Sequence, residues 1–564
     1  MKKQSFLYGS FILIASVLVV KLIGMLFKIP LANILGGTGM GYFSCAYAVF
    51  MPIYAVSVTG LPAAVSKMVA ENMALKRYNN VKKIRRVAIW AFSAIGLICS
   101  LIIFIFAGPF TKDVIQNENA YPALLAIAPS VLLGAMISVY RGYYEGMRNM
   151  FPTAISQIIE SVVKLFAGLG FSYGALLYTE KIYNETGIVL GVACKSLEQA
   201  NQMALPYVAA AAIAGVTLSS AVSMIYLFIR YGVGGDSITK RMLALDTSTE
   251  RKRTLLKSLL RIVVPIAIGS VITNLTTLID LGTIIRCLKI SIENFPAYYN
   301  DKFAYILSEN TTLEMLPNFI YGSFTGLAIT IFGLVPSFAS MFGKGILPNL
   351  AFAWAVQNKR RVNKNIHSVM AVTGLISIPA GLGLSALARP VLNLLYSSRP
   401  DEIMAVDRSL VILGIGVIFL SLSIPVFAML QAIGRADLPV KIMVIGVILK
   451  LIGNLSLIYI PEINVDGAAI STTICYIVIC TMALISLKKI SGVKFDITRL
   501  FIKPTFASIL CAAAAYLSYN LLSTYISEKI SVLASIAFGG VIYLTCLFLL
   551  NIVTIKQLKS LFSK

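Results

Sequence analysis

The sequence has few charged residues and very few acids for its length. Charged residues make up 13% of the 564 positions, whereas soluble domains usually hold about 25%. Only 24 positions are Asp or Glu, against 48 Lys or Arg. Hydrophobic residues reach 58%, which excludes a typical water-soluble enzyme and a disordered or fibrous protein. The surplus of apolar side chains instead indicates a chain that lies in lipid.

Several motifs that carry chemistry are also missing from the sequence. The eight cysteines form no Cys-x-x-Cys pair and no metal-ligand spacing, which argues against a disulfide scaffold or a zinc site. No Gly-x-x-x-x-Gly-Lys-Ser/Thr stretch occurs, so the sequence offers no nucleotide-hydrolysing loop. The one histidine, His367, lies beside a basic run and is interpreted as structural. We therefore predict no catalytic residues, no metal site and no enzyme activity.

Long apolar runs bounded by clusters of charge predict fourteen membrane-spanning helices. Met1-Lys2-Lys3 before the first run is interpreted as the start of a retained helix rather than of a signal peptide. The glycine-rich stretch from Gly36 to Gly41 is interpreted as an outer turn between the first two spans. The predicted spans cover residues 6–34, 42–66, 87–109, 121–140, 153–176, 206–230, 258–286, 319–342, 366–388, 409–431, 439–460, 467–487, 504–522 and 530–552.

The distribution of Lys and Arg gives the predicted orientation. With the amino terminus inside, the inner segments hold 32 cations and the outer segments hold nine. Because inner loops of membrane proteins collect Lys and Arg, this bias supports the span count and places both termini in the cytoplasm. It also explains the formal net charge of +24 without a nucleic-acid partner.

The two halves of the sequence resemble each other at an offset near 286 residues. Pro62 corresponds to Pro348, and Lys164 corresponds to Lys450. An even number of spans separates these positions, so the repeats run parallel and predict two lobes related by a pseudo-two-fold axis along the membrane normal. The predicted parts are a six-helix N-lobe (1–232), a basic linker (233–257), a six-helix C-lobe (258–490), and two added helices with a cytoplasmic tail (491–564).

With Lys441, at the inner end of its span, counted among the inner segments, seven cations but only two acids fall inside the predicted spans, which leaves the span interiors net positive by five. Each ionised group at the bilayer centre costs about 2.5–3.5 kcal/mol on insertion scales, so it usually faces a partner or a wet cavity. Lys21 and Lys28 lie two helical turns apart on one face, with Gly24 between them. We interpret this face as the lining of a polar cavity, with structural pairing or snorkelling as the alternative.

Other intramembrane polar residues have alternative explanations. Glu160 precedes Lys164 by one helical turn, so an ion pair within the helix competes with a cavity role. Asp280 lies on a polar stripe of span 7, where hydrogen bonding between helices competes with pairing to a span 1 lysine or with cation coupling. The stripe contains Thr273, Thr276, Thr277, Asp280 and Thr283, is flanked by Asn274 and is followed by Arg286.

Two stretches of the sequence resemble a known group of transporters. They are Arg141-Gly-Tyr-Tyr-Glu-Gly-Met-Arg-Asn-Met-Phe-Pro-Thr-Ala-Ile-Ser-Gln-Ile-Ile-Glu160 and Gln431-Ala-Ile-Gly-Arg-Ala-Asp-Leu-Pro439. Over nearly its full length, the chain resembles the multidrug/oligosaccharidyl-lipid/polysaccharide exporter superfamily, in its stage V sporulation protein B branch. The resemblance implies two six-helix lobes around a central cavity. It also implies that cations on spans 1 and 7–8 engage a lipid-linked head group, which Lys21 and Lys28 match approximately and Arg286 matches less well.

These observations favour a flippase for an undecaprenyl-pyrophosphate-linked saccharide, either lipid II or a polysaccharide repeat unit, in the bacterial cell membrane. The expected partners are this anionic lipid-linked sugar and membrane lipids, and no cofactor is expected beyond a coupling monovalent cation or proton. The oligomeric state is left open. The predicted substrate-binding residues are Lys21, Lys28, Lys164, Arg286 and Lys450, and the predicted ion-coupling or charge-pairing residues are Glu160, Asn274, Thr277 and Asp280.

Three other functions compete with this prediction. A cation-coupled multidrug exporter of the same superfamily would need buried acids, and only Glu160 and Asp280 are available. A non-transporting membrane scaffold in envelope or spore assembly would leave the intramembrane lysines without a purpose. An integral membrane glycosyltransferase would need clustered catalytic acids at a membrane face, which the sequence does not show.

Overall fold

The computed structural model describes residues 6–236, 238–244, 246, 250–307, 312–493, 495–550 and 552. The predicted amino-terminal cations Lys2 and Lys3, parts of the predicted linker and the tail after residue 552 lie outside these ranges. The described chain is almost entirely helical, so the predicted all-α membrane class is confirmed. In the described part, β-structure consists of β1 (Ile188–Val189) and β2 (Val192–Ala193), which pair antiparallel in one loop.

The helices are numbered in chain order. The α-helices are α1 (Phe6–Tyr54), α2 (Leu61–Ala74), α3 (Tyr78–Pro109), α4 (Tyr121–Ile127), α5 (Pro129–Gly146), α6 (Phe151–Thr186), α7 (Leu197–Gly234), α8 (Lys240–Ala244), α9 (Lys252–Asn294), α10 (Pro296–Lys302), α11 (Leu316–Ser323), α12 (Ile329–Phe332), α13 (Leu334–Ala355), α14 (Lys359–Ala386), α15 (Ala388–Tyr396), α16 (Pro400–Ala432), α17 (Asp437–Leu457), α18 (Asp466–Ser491), α19 (Lys503–Leu522) and α20 (Glu528–Leu549). π-Helical turns cover Ala55–Thr59, Phe110–Val114, Phe324–Ala328 and Thr498–Ile502, and a 3₁₀ turn covers Glu118–Ala120.

Twelve helical segments of the described chain are long and apolar enough to cross a membrane. A bent pair, Leu316–Phe332 with Leu334–Gly343, raises this number to 13 if the two helices, which meet at 42°, form one span. The first segment, Ala15–Ala74, has 60 residues, about three times the length that one crossing needs. Dividing this segment into two spans would give fourteen, and the exact count stays a prediction.

The break in this first segment lies at Gly36. This residue has φ 61° and ψ −172°, a combination that glycine adopts readily and other residues do not. The helix resumes directly after it, so the outer turn predicted from Gly36 to Gly41 is wrong beyond its first residue. The later glycines instead allow close packing, because a Cβ added at Gly322 on α11 would clash with the backbone of Gly37 and Gly41.

The chain divides into two compact units, which are Met1–Arg286 with Leu307–Gly322, and Cys287–Ile306 with Ser323–Lys564. The predicted lobe boundaries stay a prediction, and the division between the two units falls within α9. Its physical reason is that the first half of α9 packs in the first unit, where Leu259 and Val263 join a buried cluster with Leu61 and Val65. A Cβ added at Gly60 would lie only 2.9 Å from the Val263 carbonyl oxygen, which shows how closely the two segments approach.

The internal repeat is visible in the local geometry of each unit. Helix α6 begins at Phe151 and helix α17 begins at Asp437, 286 residues later. The turns before them contain left-handed residues at the same offset, Arg148 with φ 57° and Gly434 with φ 84°. Equivalent turns at the spacing found in the sequence support a shared origin for the two halves of the fold.

Candidate functional site

Helices α1 and α6 of the first unit pack in parallel. The sequence offset between facing residues is the same at two points along their contact. The Ser16 hydroxyl donates a hydrogen bond to Gln157 Oε1 at 3.3 Å. Eleven residues further along both helices, the Phe27 ring lies against Gly168, and a Cβ added there would be 2.6 Å from Phe27 Cε2. Glycine at position 168 therefore lets the ring lie directly on α6, one helical turn beyond Lys164.

This packing holds the Lys164 ammonium group between aromatic side chains. Lys164 Nζ donates a hydrogen bond to the Tyr47 hydroxyl oxygen at 3.2 Å. The same atom lies 4.9 Å from the Phe27 ring centroid and 5.3 Å from the Tyr47 ring centroid. Cation–π contacts of this kind contribute about 0.5–2 kcal/mol. Because the Phe27 ring is only 1% exposed, the Lys164 side chain is held in a defined position.

Lys21, Lys28 and Lys164 form a group of like charges, here called the lysine cluster. Lys28 is close enough to interact electrostatically with both other lysines. Lys28 and Lys164 are half-buried, and Lys21 is exposed. Among the described residues, no carboxylate forms an ion pair with Lys28 or Lys164. Like charges held close together in apolar helices repel each other, which raises the free energy of this arrangement. An anion bound among them offsets the repulsion.

Gly24 leaves open space on the face of α1 that carries the two lysines. A Cβ added at this position would meet no heavy atom within 4 Å. The helix backbone is therefore accessible between Lys21 and Lys28, where a bulky side chain would otherwise stand. No side chain of a described residue fills the space directly beside Gly24.

Glu160 pairs with Arg141, so the alternative of an ion pair between Glu160 and Lys164 is wrong. Arg141 Nη2 lies 2.7 Å from Glu160 Oε2, and Arg141 Nε donates to Ser156 Oγ at 2.9 Å. The two charged side chains are 15% and 28% exposed. The arginine comes from α5, across a helix contact that the spacing within α6 could not reveal. Glu160 is thus a charge-pairing residue, and its negative charge is directed to Arg141 rather than to the lysine cluster.

With this geometry in place, comparison with known proteins assigns the family. The model of the polysaccharide biosynthesis protein family matches residues 6–300, more than half of the chain. The chain belongs to this family. A second family model, described as lipid II flippase MurJ, matches residues 324–538. The predicted membership of the multidrug/oligosaccharidyl-lipid/polysaccharide exporter superfamily is confirmed.

Two curated relatives of this family member span almost its whole length. The chain is 24% identical to the lipid II flippase MurJ of Bacillus subtilis (strain 168), over 96% of the chain and 94% of the relative. It is also 24% identical to the stage V sporulation protein B of Bacillus subtilis (strain 168), over 99% of the chain and 98% of the relative. These relatives and the apolar helices identify a multi-pass bacterial membrane protein.

Solved structures show the same fold. A lipid II flippase MurJ in an inward closed conformation has a TM-score of 0.62 at 14% identity, over 96% of this chain and 98% of that chain. An inward-facing multidrug resistance MATE family transporter has a TM-score of 0.60 at 13% identity, over 84% of this chain and 94% of that chain. The second family model and the first curated relative are both described as a flippase, in agreement with the prediction that this family member is not an enzyme.

The polar stripe on α9 is largely satisfied within its own helix. The Thr277 hydroxyl donates to the Asn274 carbonyl oxygen at 2.7 Å, and Asn274 Nδ2 donates to the Ser270 carbonyl oxygen at 2.8 Å. Asp280 is only 7% exposed and interacts electrostatically with Tyr321. These contacts position the stripe, and the predicted ion-coupling role of Asn274, Thr277 and Asp280 stays a prediction.

Arg286 and Lys450, the other two predicted substrate-binding cations, differ in their local environment. Arg286 is exposed and is the last residue of the first segment of the first unit. Lys450 lies on α17 in the second unit with 4% of its surface exposed, one turn before the fully buried Asn454. Asn454 in turn accepts a hydrogen bond from the Ser471 hydroxyl on α18. The substrate-binding role of Arg286 and Lys450 stays a prediction.

Tyr47, which contacts Lys164, belongs to an aromatic stripe that was not predicted from the sequence. Phe43, Tyr47, Phe50 and Tyr54 follow each other at three- or four-residue steps on α1, and successive ring centroids lie 4.8, 6.0 and 4.8 Å apart. This helical spacing is visible in the sequence. It did not single out Tyr47, because an aromatic stripe of this kind is typical of any buried helix face.

Proposed function

We propose that this protein moves an anionic, undecaprenyl-pyrophosphate-linked saccharide from the inner to the outer leaflet of the membrane. The lysine cluster is the observation that carries the proposal, because it gathers three cations in apolar helices and lacks an ion pair to a described carboxylate at Lys28 and Lys164. A pyrophosphate supplies the missing negative charge. The two full-length relatives, named as a lipid II flippase and a stage V sporulation protein, support a lipid-linked cargo.

The three lysines offer phosphate two kinds of contact. Lys164 is already oriented by Tyr47 and Phe27, so little side-chain freedom is lost when its ammonium group binds an oxygen. Lys21 and Lys28 stand two turns apart, about 10 Å along α1, and reach a ligand from either side of Gly24. Lysine suits this task because its ammonium group is a point charge that binds phosphate from many directions. The lipid tail needs no aqueous path and stays in the bilayer.

Transport by alternating access would be driven by the membrane potential or an ion gradient. The excess of Lys and Arg in the predicted inner segments favours a cytoplasmic location for both chain termini. A head group with charge near −2 that moves outward across an inside-negative potential of about 100 mV gains roughly 4–5 kcal/mol. This free energy is sufficient for directional movement without ATP hydrolysis.

The proposal predicts that flipping depends on the membrane potential. The protein is reconstituted into vesicles with a labelled undecaprenyl-pyrophosphate-linked sugar, and outer-leaflet label is measured with and without a potassium gradient and valinomycin. An inside-negative potential of about 100 mV should shift the label strongly outward, and reversing the gradient should shift it inward. Vesicles that show no flipping under either potential or an imposed cation gradient would contradict the proposal, and efflux of cationic drugs would favour the exporter alternative.

A further inference from the structure

The second unit contains a charged cavity that the lysine cluster and the proposed flipping step do not use. The cavity has a volume of about 290 Å³. Its walls come from the end of α10 and the loop after it, the start of α15, the first turns of α16, and the loop between α17 and α18. All these segments lie at the membrane face that the distribution of Lys and Arg predicts to be outside.

The cavity walls carry charges of both signs and an aromatic side. Its charged and aromatic residues include Lys302, Arg389, Arg408, Asp407, Asp466 and Tyr305. The three cations and two acids make this set net positive by one. The volume is at the lower end of the range for small-molecule sites and is sufficient for a sugar ring with a short substituent.

Some of these charged groups are held by hydrogen bonds within the protein, while two guanidinium groups remain available to bind a ligand. Lys302 Nζ donates to the Tyr298 hydroxyl oxygen at 3.3 Å and to the Pro461 carbonyl oxygen at 3.4 Å. Asp466 Oδ1 accepts a hydrogen bond from the Ser409 hydroxyl at 2.5 Å. In contrast, the guanidinium groups of Arg389 and Arg408 form no ion pair with any described residue.

We infer that this cavity, here called the outer pocket, binds a saccharide that bears a carboxylate. Uncommitted guanidinium groups recognise a carboxylate through paired hydrogen bonds. The fixed Asp466 carboxylate can accept hydrogen bonds from sugar hydroxyls, and the exposed ring of Tyr305 offers an apolar face to the sugar ring. The saccharide has two possible sources, which are the head group of the transported lipid and free saccharide outside the cell. The first source rests on the proposed function.

The first experiment tests recognition without transport. Binding of N-acetylmuramic acid to the full-length protein in detergent is measured by titration calorimetry, with N-acetylglucosamine as the matched sugar that lacks the carboxylate. The acid should bind at least tenfold more tightly than the neutral sugar. The double variant Arg389→Gln with Arg408→Gln should lose this preference, whereas Arg389→Lys with Arg408→Lys should retain much of it. Lys289→Gln, an exposed cation of the same unit outside the pocket, should bind as the unchanged protein does.

The second experiment distinguishes the two sources of the saccharide. Flipping of a lipid-linked sugar with a carboxylate is compared with that of its neutral analogue in vesicles that contain the double glutamine variant. A severalfold loss confined to the acidic cargo assigns the pocket to the transported head group, and unchanged flipping assigns it to free saccharide. The inference is overturned if the unchanged protein binds both sugars equally, or if the arginine substitutions leave the preference intact. Failure of flipping in every variant would contradict the proposed function alone, because the calorimetric result does not depend on it.

Discussion

Replacing Lys28 by alanine is expected to slow translocation of a pyrophosphate-linked sugar by tenfold or more. A hydrogen bond between an ammonium group and a charged oxygen contributes about 1.5–3 kcal/mol, and each 1.4 kcal/mol corresponds to a factor of ten. Lys28 interacts with both Lys21 and Lys164, so its removal weakens the centre of the lysine cluster. The double substitution Lys21→Ala with Lys28→Ala should abolish measurable flipping in reconstituted vesicles.

Two control variants separate the loss of charge from the loss of fold. Lys28→Arg keeps the positive charge and should retain a substantial part of the rate. Lys181→Ala removes a cation from an exposed surface pair with Glu185 on the same helix as Lys164, and should leave the rate unchanged. Size-exclusion profiles and thermal unfolding in detergent check that each variant is folded. If the Lys21 and Lys28 double variant flips lipid at the rate of the unchanged protein, the lysine cluster has no role in translocation.

Filling the open space at Gly24 with tryptophan is expected to reduce flipping by more than tenfold while the protein stays folded. A Cβ at this position meets no heavy atom within 4 Å, so the larger side chain has room to leave the helix. It would then occupy the space through which a pyrophosphate reaches Lys21 and Lys28. Gly24→Ala adds only one carbon, and should retain transport and raise the free energy of unfolding by about 0.5–1 kcal/mol.

The matched control for the Gly24 substitution is the same change at a second helical glycine with open surroundings. Gly170 on α6 also leaves a Cβ without a neighbour within 4 Å, but it lies beyond the Phe27 contact at Gly168. Gly170→Trp should therefore transport at close to the unchanged rate. Flipping and the unfolding temperature are measured for all three variants. Equal rates for Gly24→Trp and Gly170→Trp would show that the space beside Gly24 is not used by the substrate.

Several features of the site could be predicted because they follow from spacing along one helix. The seven-residue interval between Lys21 and Lys28 places both on one face, and the structure brings Lys28 near both Lys21 and Lys164. The helical class and the positions of nearly all spans follow from apolar runs. The repeat of 286 residues is likewise visible in sequence before it appears in the turns at Arg148 and Gly434.

The features that sequence reasoning missed depend on contacts between helices. Arg141 on α5 forms the ion pair with the Glu160 carboxylate. Lys164 does not, although it lies one helical turn from Glu160 on the same helix. The glycine-rich segment after Gly36 continues as helix because its small residues pack against α11, while the composition alone favours a turn. The outer pocket draws its residues from several separate segments, so no single stretch of sequence reveals it.

The most direct test of the lysine cluster is a structure of the full-length protein determined with undecaprenyl pyrophosphate bound. The account predicts phosphate density within about 3 Å of the Lys28 and Lys164 ammonium groups, the usual length of a charge-assisted hydrogen bond, with Lys21 on the same side of the density. Pyrophosphate bound elsewhere, with density for the three lysine side chains unchanged from the ligand-free protein, would contradict it.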